Sequence, residues 1–233
     1  MGGASSQVIW RQRYDTEADS ALRRALATLR CEVHELSSQQ WDARTASIGG
    51  VRDHQCSYFA PAAAEWSSVL LHLDALIGEQ LASELSRVTS VPSITFAEFD
   101  QAAWGYTLFL GGAASDRFWS VPEVVDEDPA AVRGTPSVLS ATFSVPESDV
   151  APYLQHLSPA LSETSKVFPD DEFELGDHWV RVDFMRHLGL RYPDPGKTPG
   201  GRYLQIVESH TPVTRQQEKA TPASPKPRWK FWR

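Results

Sequence analysis

The stretch over residues 94–122, ITFAEFDQAAWGYTLFLGGAASDRFWSVP, restricts the fold of this chain more than any other. Its apolar and aromatic residues alternate with small or polar ones, the period of two expected of strands with buried faces. The polar pair Asp100-Gln101 interrupts the first run, and Gly111-Gly112 interrupts the second with residues suited to a hairpin loop. Pro122 ends the third run, because proline has no amide hydrogen for strand pairing. The pattern predicts three consecutive antiparallel strands.

The segments on either side of these strands predict further helices and strands. After a loop at Pro61, residues 66–72 predict a buried strand. Apolar residues then recur at helical spacing over residues 73–88 and predict a helix. Helices are also predicted after Asp15, Pro146 and Asp177, and strands near residues 8–10, 31–36, 55–59 and 202–208. We therefore expect a single α+β domain over residues 7–208, in which helices pack against a mainly antiparallel sheet with the three-stranded meander at its centre.

The charge of the chain is unevenly distributed. The 233 residues carry a net charge of -8, but from His210 onward six basic residues accompany only Glu218, so that segment carries +5 and the rest -13. An acidic domain of this kind repels phosphates, so we expect no nucleic-acid binding through it. Residues 209–233 are too polar to bury a core, and their composition predicts a disordered, basic and aromatic C-terminal tail.

The end of this tail predicts a short docking motif. Three aromatic residues stand there among cations, a combination that folding of the domain does not explain: Arg228, Trp229, Lys230, Phe231, Trp232 and Arg233. Aromatic anchors and cations suit an acidic surface. Three targets stay open for the motif, namely an acidic partner protein, an anionic membrane surface and the acidic body of the same chain.

Two pairs of residues are candidates for acid–base chemistry. His72 and Asp74 stand at a predicted strand-to-helix junction, and Asp183 and His187 fall four residues apart on one helix face. Each pair also has a structural interpretation, as a helix cap or a surface ion pair. The sequence has no G-x-S-x-G elbow and no glycine-rich phosphate loop after a strand, so it predicts no cofactor.

A second set of residues is compatible with zinc. Cys31-x-x-His34 and His54-x-Cys56 together supply two thiols and two imidazoles. The second pair is spaced more closely than in common zinc knuckles, so the sequence favours two unrelated buried thiols and surface histidines. Two cysteines make no disulfide framework, which fits a reducing cytoplasm. No apolar run approaches the roughly 20 residues of a membrane helix, and we expect no transmembrane segment.

The predicted meander also carries a resemblance. Its pattern, Tyr106-x-Leu108-x-x-x-Gly112-x-x-x-Asp116-Arg117-Phe118-x-Ser120-x-Pro122, resembles that of a group of uncharacterised bacterial cytoplasmic proteins. The resemblance implies a compact fold of helices and strands. It implies no activity, and no catalytic residue is transferred from it.

These observations predict a non-catalytic binding or regulatory protein of the bacterial cytoplasm, of adaptor or immunity type, with a C-terminal docking tail. The absence of an assembled catalytic set, the acidic domain and the aromatic tail favour this hypothesis. The alternative is a small hydrolase or a metal-dependent enzyme that uses the histidine and aspartate residues described above.

Overall fold

One antiparallel sheet extends through the described part of the chain, which in this computed structural model comprises residues 5–45, 56–71, 75–158, 165–195 and 197–208. Its eight strands are β1 (Ser5–Trp10), β2 (Cys31–Leu36), β3 (Cys56–Ala63), β4 (Trp66–Leu71), β5 (Ser93–Phe99), β6 (Ala103–Leu110), β7 (Ala113–Trp119) and β8 (Arg202–Glu208). The helices in the described residues are α1 (Thr16–Thr28), α2 (Ser38–Thr45), α3 (Ala75–Thr89), α4 (Pro136–Phe143), α5 (Glu147–Val150) and α6 (Val180–His187). The fold is α+β, as the sequence predicted.

The strand order across the sheet is β2-β8-β3-β4-β1-β5-β6-β7. The first strand, β1, pairs with β4 on one side and β5 on the other, and the last strand, β8, lies between β2 and β3. Strands β5, β6 and β7 pair in chain order, but they lie at one end of the sheet and not at its centre. The predicted central position is wrong because β1 and β4 extend the sheet beyond β5, a long-range pairing that local alternation does not encode.

Both faces of the sheet are covered. Helices α1 and α3 pack over one face, where Trp10 and Phe59 lie in the core. Residues from α4, α5 and α6 pack over the other face, against the side chains of Trp104 and Tyr106. Phe109 belongs to the first of these cores, so β6 presents alternate residues to opposite faces, as predicted. A third cluster surrounds Trp41 of α2, a helix that the sequence analysis did not predict.

The helix ends show which local signals were sufficient. Asp15 caps α1, because its carboxylate accepts hydrogen bonds from the amides of Glu17 and Ala18 at 2.9 and 3.1 Å. Gly189, with φ of 74°, follows the end of α6.

Among the described residues, no helix is both long and apolar enough to span a membrane.

Two proline positions differ from the prediction. The apolar spacing after Pro146 continues at helical intervals to Leu157, but the helix ends at Val150 and is followed only by a 3-10 turn, Ala151–Tyr153. Pro152 lies within that turn and has no amide hydrogen with which to extend an α-helix. Pro61, predicted to lie in a loop, belongs to β3, next to a shift in the strand register. Prolines are accepted in strands at such irregularities.

Candidate functional site

Helix α6 carries one of the two acid–base candidate pairs, Asp183 and His187. Asp183 Oδ2 accepts hydrogen bonds from the backbone amides of Glu172 and Phe173 at 2.9 and 2.8 Å, and its side chain is buried. His187 Nε2 lies 3.2 Å from Oδ1 of Asp171, and its ring stacks on another residue of the same segment, Phe168. Both residues therefore hold the segment that precedes α6 against this helix.

Asp171 is the centre of this contact. Its side chain is fully buried, and both of its oxygens lie 2.7 Å from the hydroxyl of Tyr153. Oδ1 also lies 2.9 Å from Nη2 of Arg186, in addition to the contact with His187, and Oδ2 accepts the amide hydrogen of Phe168. Each carboxylate oxygen can accept hydrogen bonds through two lone pairs, and the donors named above already engage both oxygens. The arrangement is that of a structural network.

The same network contains a group of possible metal ligands. One ligand atom from each of Asp170, Asp171 and His187 can be chosen so that all lie within 4.8 Å of one another. Arg186 is hydrogen-bonded to both carboxylates, at 2.7 Å to Asp170 and 2.9 Å to Asp171. The hydrogen bond between Arg186 and Asp170 lowers the pKa of Asp170 and raises the pKa of Arg186. The guanidinium thus already provides the positive charge that a metal ion would bring.

The zinc-compatible residues do not come together in the described structure. Cys31 begins β2 and Cys56 begins β3, with β8 between these strands, and the two thiols pack in hydrophobic clusters on opposite faces of the sheet. His34 is exposed, and its Nε2 lies 3.7 Å from the carboxylate of Glu32. His54 lies outside the described residues.

Two further sets of predicted site residues also lie outside the described part of the chain. His72 and Asp74 fall in the connection between β4, which ends at Leu71, and α3, which begins at Ala75. The six residues of the docking motif, residues 228–233, follow the last described residue, Glu208. Their assignments stay predictions.

A wide groove lies where three connections meet, at the ends of the neighbouring strands β3, β4, β1 and β5. Its volume is about 1050 Å³. The turn after β1 supplies residues 11–14, the β3–β4 hairpin supplies residues 61 and 63–65, and the connection from α3 to β5 supplies residues 90–92. The amide of Arg11 donates to the carbonyl of Pro92 at 3.0 Å, which joins two of the three connections.

Two guanidinium groups give this groove its chemical character. Arg11 pairs with Glu65 at 3.4 Å, and both side chains are largely exposed. Arg13 is also exposed, and no described residue forms a hydrogen bond or ion pair with its guanidinium. Nearby, the hydroxyl of Tyr14 donates to the carbonyl of Gly200 at 2.9 Å. The lining residues include no histidine or cysteine, and the two guanidinium groups supply the forked donors that suit recognition of a carboxylate.

No protein-family profile, curated protein or solved structure matches this chain. The resemblance drawn from the β6–β7 motif therefore has no further support. The structure gives three of its residues structural roles: the hydroxyl of Tyr106 donates to buried Asp116 at 2.7 Å, and Ser120 Oγ accepts the amide hydrogen of Trp104 at 3.1 Å.

Sequence reasoning did not identify the main members of either site. In the sequence, Asp170 and Asp171 show only the pattern of a linker, because adjacent carboxylates after a proline are typical of loops, and Tyr153 shows only the spacing of a helical face after Pro146. The groove gave no signal at all, since its three contributing connections are far apart in the chain. The one available hint was the spacing of Asp183, Arg186 and His187 on one helix, which places several charged groups together.

Proposed function

We propose that this protein is a non-catalytic binding protein, and that its groove holds an acidic segment of a partner protein. The observation that supports the proposal is the exposed guanidinium of Arg13, which is paired with no described residue and lies with Arg11 in an open groove of about 1050 Å³. A guanidinium presents its donors in a planar fork that matches a carboxylate, so side chains of Asp or Glu are the natural ligands.

The α6 network supports a binding function over a catalytic one. A general base needs an oxygen or nitrogen with a free lone pair within reach of a substrate. Both oxygens of Asp171 are engaged, and Asp183 is buried with two backbone amides on one oxygen. Catalysis at this network would first require these bonds to break.

The net charge of the chain restricts where an acidic partner segment is attracted. The chain as a whole carries -8, so an acidic segment is attracted only where the two arginines offset the negative field. Attraction of this kind is screened by salt over about 8–10 Å at physiological ionic strength. Binding should therefore weaken as the salt concentration rises.

The C-terminal residues 228–233 are, in this proposal, a second docking segment. They lie outside the described residues, so their support is the sequence alone: three aromatic rings and three cations within the last six positions. Aromatic side chains bury large areas at small entropic cost, which suits a short anchoring motif.

The groove is tested by photo-cross-linking in cells of the source organism. A photo-reactive amino acid replaces Ala64, an exposed residue of the groove, in the wild-type chain and in the Arg13→Glu and Arg24→Glu variants. Arg24→Glu is the matched control, because Arg24 is exposed on α1 and the change in charge is the same. We expect cross-links to an Asp- and Glu-rich segment, reduced about tenfold by Arg13→Glu, the effect of losing one charge-assisted contact.

Arg24→Glu should leave these cross-links unchanged. Equal yields from the two variants would contradict the proposal, and so would cross-links to a neutral or basic segment.

A further inference from the structure

An exposed tryptophan marks a second surface, remote in sequence from the groove. Trp179 is 36% exposed, and among the described residues it and Leu110 are the large apolar side chains that reach solvent to this extent. Its ring lies 6.3 Å from that of Phe173 and 5.7 Å from that of Tyr192, both half-buried. We call these three rings and the neighbouring carboxylates of Glu172, Glu174 and Asp177 the acidic–aromatic patch.

The buried guanidinium of Arg181 supports two of the three rings of the patch. The guanidinium carbon of Arg181 lies 4.5 Å from the centre of the Trp179 ring and 5.8 Å from that of Tyr192. Arg181 is buried and paired with Glu98 at 3.1 Å, so this carboxylate balances its charge. The indole is thus supported on one face, and its exposed part is available to a ligand.

The charge around these rings is negative. Glu172 and Glu174 are exposed, and the side chain of Asp177 is 41% exposed. The cationic side chains of α6 in contact with this region are already paired, Arg181 with Glu98 and Arg186 with Asp170. The exposed Arg191, next to Tyr192 in the chain, offsets one of the three carboxylates and leaves the charge negative. Aromatic faces and carboxylates together attract cations and further aromatic rings. A basic and aromatic segment is the complementary ligand.

We propose that the acidic–aromatic patch binds the C-terminal segment of the same chain, residues 226–233. This segment has the required chemistry, since Trp229, Phe231 and Trp232 alternate there with four cations: Lys226, Arg228, Lys230 and Arg233. The groove has Arg11 and Arg13 against Glu65 alone, so its lining carries the same sign of net charge as the segment and is disfavoured as its site. The patch is therefore the acceptor for the protein's own docking motif, in addition to the groove proposed for a partner.

The connecting chain is long enough to reach the patch. Tyr203 stands five residues before Glu208 in β8, about 17 Å along a strand. Tyr203 and Tyr192 both pack on the cluster around Trp41, and Tyr192 contacts Trp179. The patch thus lies on the order of 30–35 Å from Glu208, whereas the residues between Glu208 and Trp229 span up to about 65 Å when extended. Binding within one chain needs no stretching.

The proposal is tested on the full-length protein by intramolecular photo-cross-linking. Phe231 is replaced by p-benzoylphenylalanine, which keeps an aromatic ring in the motif, and the cross-linked residues are mapped by mass spectrometry. We expect cross-links to residues 172–179 and 192. Trp179→Ala should reduce their yield about tenfold, as truncation of an aromatic anchor does. Leu110→Ala is the matched control and should leave the yield unchanged, because Leu110 is comparably exposed at 42%.

A mixture of isotope-labelled and unlabelled protein separates binding within a chain from binding between chains. Cross-links between labelled and unlabelled chains would overturn the proposal in favour of a second copy. Cross-links elsewhere on the chain, a yield insensitive to Trp179→Ala, or no cross-links at all would also overturn it. None of these outcomes bears on Ala64 or Arg13, so the function proposed for the groove is judged separately.

Discussion

The hydroxyl oxygen of Tyr153 lies 2.7 Å from both carboxylate oxygens of Asp171, and both side chains are buried. This contact joins the turn after α5 to the segment that α6 holds in place. A hydrogen bond to a charged group contributes about 1.5–3 kcal/mol. We expect Tyr153→Phe to lower the free energy of unfolding by that amount in urea denaturation at neutral pH. A loss below about 0.5 kcal/mol, the level of a neutral surface substitution, would contradict this assignment.

The same hydrogen bond predicts that the free energy of unfolding depends on pH in the alkaline range. Burial, and then the hydrogen bond to Asp171, raise the pKa of Tyr153 above its ordinary value of 10.0. A raised pKa in the folded state means that the stabilisation is complete below the unfolded pKa and is lost as the pH rises above it. The difference between the wild type and Tyr153→Phe should therefore shrink above pH 10, by up to about 1.4 kcal/mol per pH unit. Urea denaturation at pH 8 and pH 11 measures it, and a constant or growing difference would refute the sign.

A buried ion pair should contribute more to stability than an exposed one. Arg181 and Glu98 lie 3.1 Å apart with side chains only 5% and 11% exposed, whereas Arg11 and Glu65 are 47% and 71% exposed. Arg181→Met leaves the largely buried carboxylate of Glu98 with only the longer contact to His178, at 3.6 Å, and should cost about 3 kcal/mol, the lower end of the usual cost of breaking a buried pair. Arg11→Met, the control, should cost at most about 1 kcal/mol. Equal losses in chemical denaturation would show that the pair is not buried in solution.

Arg186 should prevent metal binding at the neighbouring carboxylates. Its guanidinium is bonded to Asp170 and Asp171, so excess Zn²⁺ or Mg²⁺ should not raise the melting temperature of the wild type. Arg186→Ala removes the positive charge beside Asp170 and Asp171 and leaves two carboxylates and His187 close together, so the same ions should now stabilise the protein by mass action. Differential scanning calorimetry with and without chelator makes the comparison.

Arg87→Ala is the control for this series, because Arg87 pairs with Glu84 on the exposed side of α3. A wild-type protein that gains stability with stoichiometric metal would show that the arginine does not fill this role.

Gly105 permits the close pairing of β6 with β7. A Cβ atom at this position would lie 2.5 Å from the carbonyl oxygen of Phe118 and 2.5 Å from the ring of Trp119. Gly105→Ala should therefore destabilise the protein by about 3 kcal/mol, the upper end of the usual cost of overpacking. Gly111→Ala is the control: its Cβ would meet nothing within 4 Å, and only its positive φ of 59° should cost about 1 kcal/mol. Thermal denaturation of both variants tests the difference.

Local patterns sufficed to predict individual elements of this fold. The alternation around Trp104 and Tyr106 gave strand β6 and its two faces, and Asp15 marked the first residue before α1. These features depend on neighbours within a few residues, and the sequence displays those neighbours directly.

Features built from distant residues were not predictable in this way. The sheet order depends on β1 pairing with β4 and β5. The α6 network depends on the hydrogen bond between Tyr153, in the turn after α5, and Asp171, in the segment before α6. The structure brings one predicted catalytic pair, Asp183 and His187, into one network. That network also contains Tyr153, Asp170 and Asp171, which no spacing rule identifies. The groove is the extreme case, since three separate connections converge to form it.

The position of β8 has a consequence for synthesis of the chain. Because the last strand lies between β2 and β3, both of these strands keep an unpaired edge until residues 202–208 have left the ribosome. Cys31 then pairs with Glu208, a contact between two distant parts of the described chain. Pairings this distant slow folding, and open strand edges favour aggregation in the meantime. A nascent or truncated chain that stops before β8 should therefore depend on chaperones, whereas one that stops just after Glu208 should not.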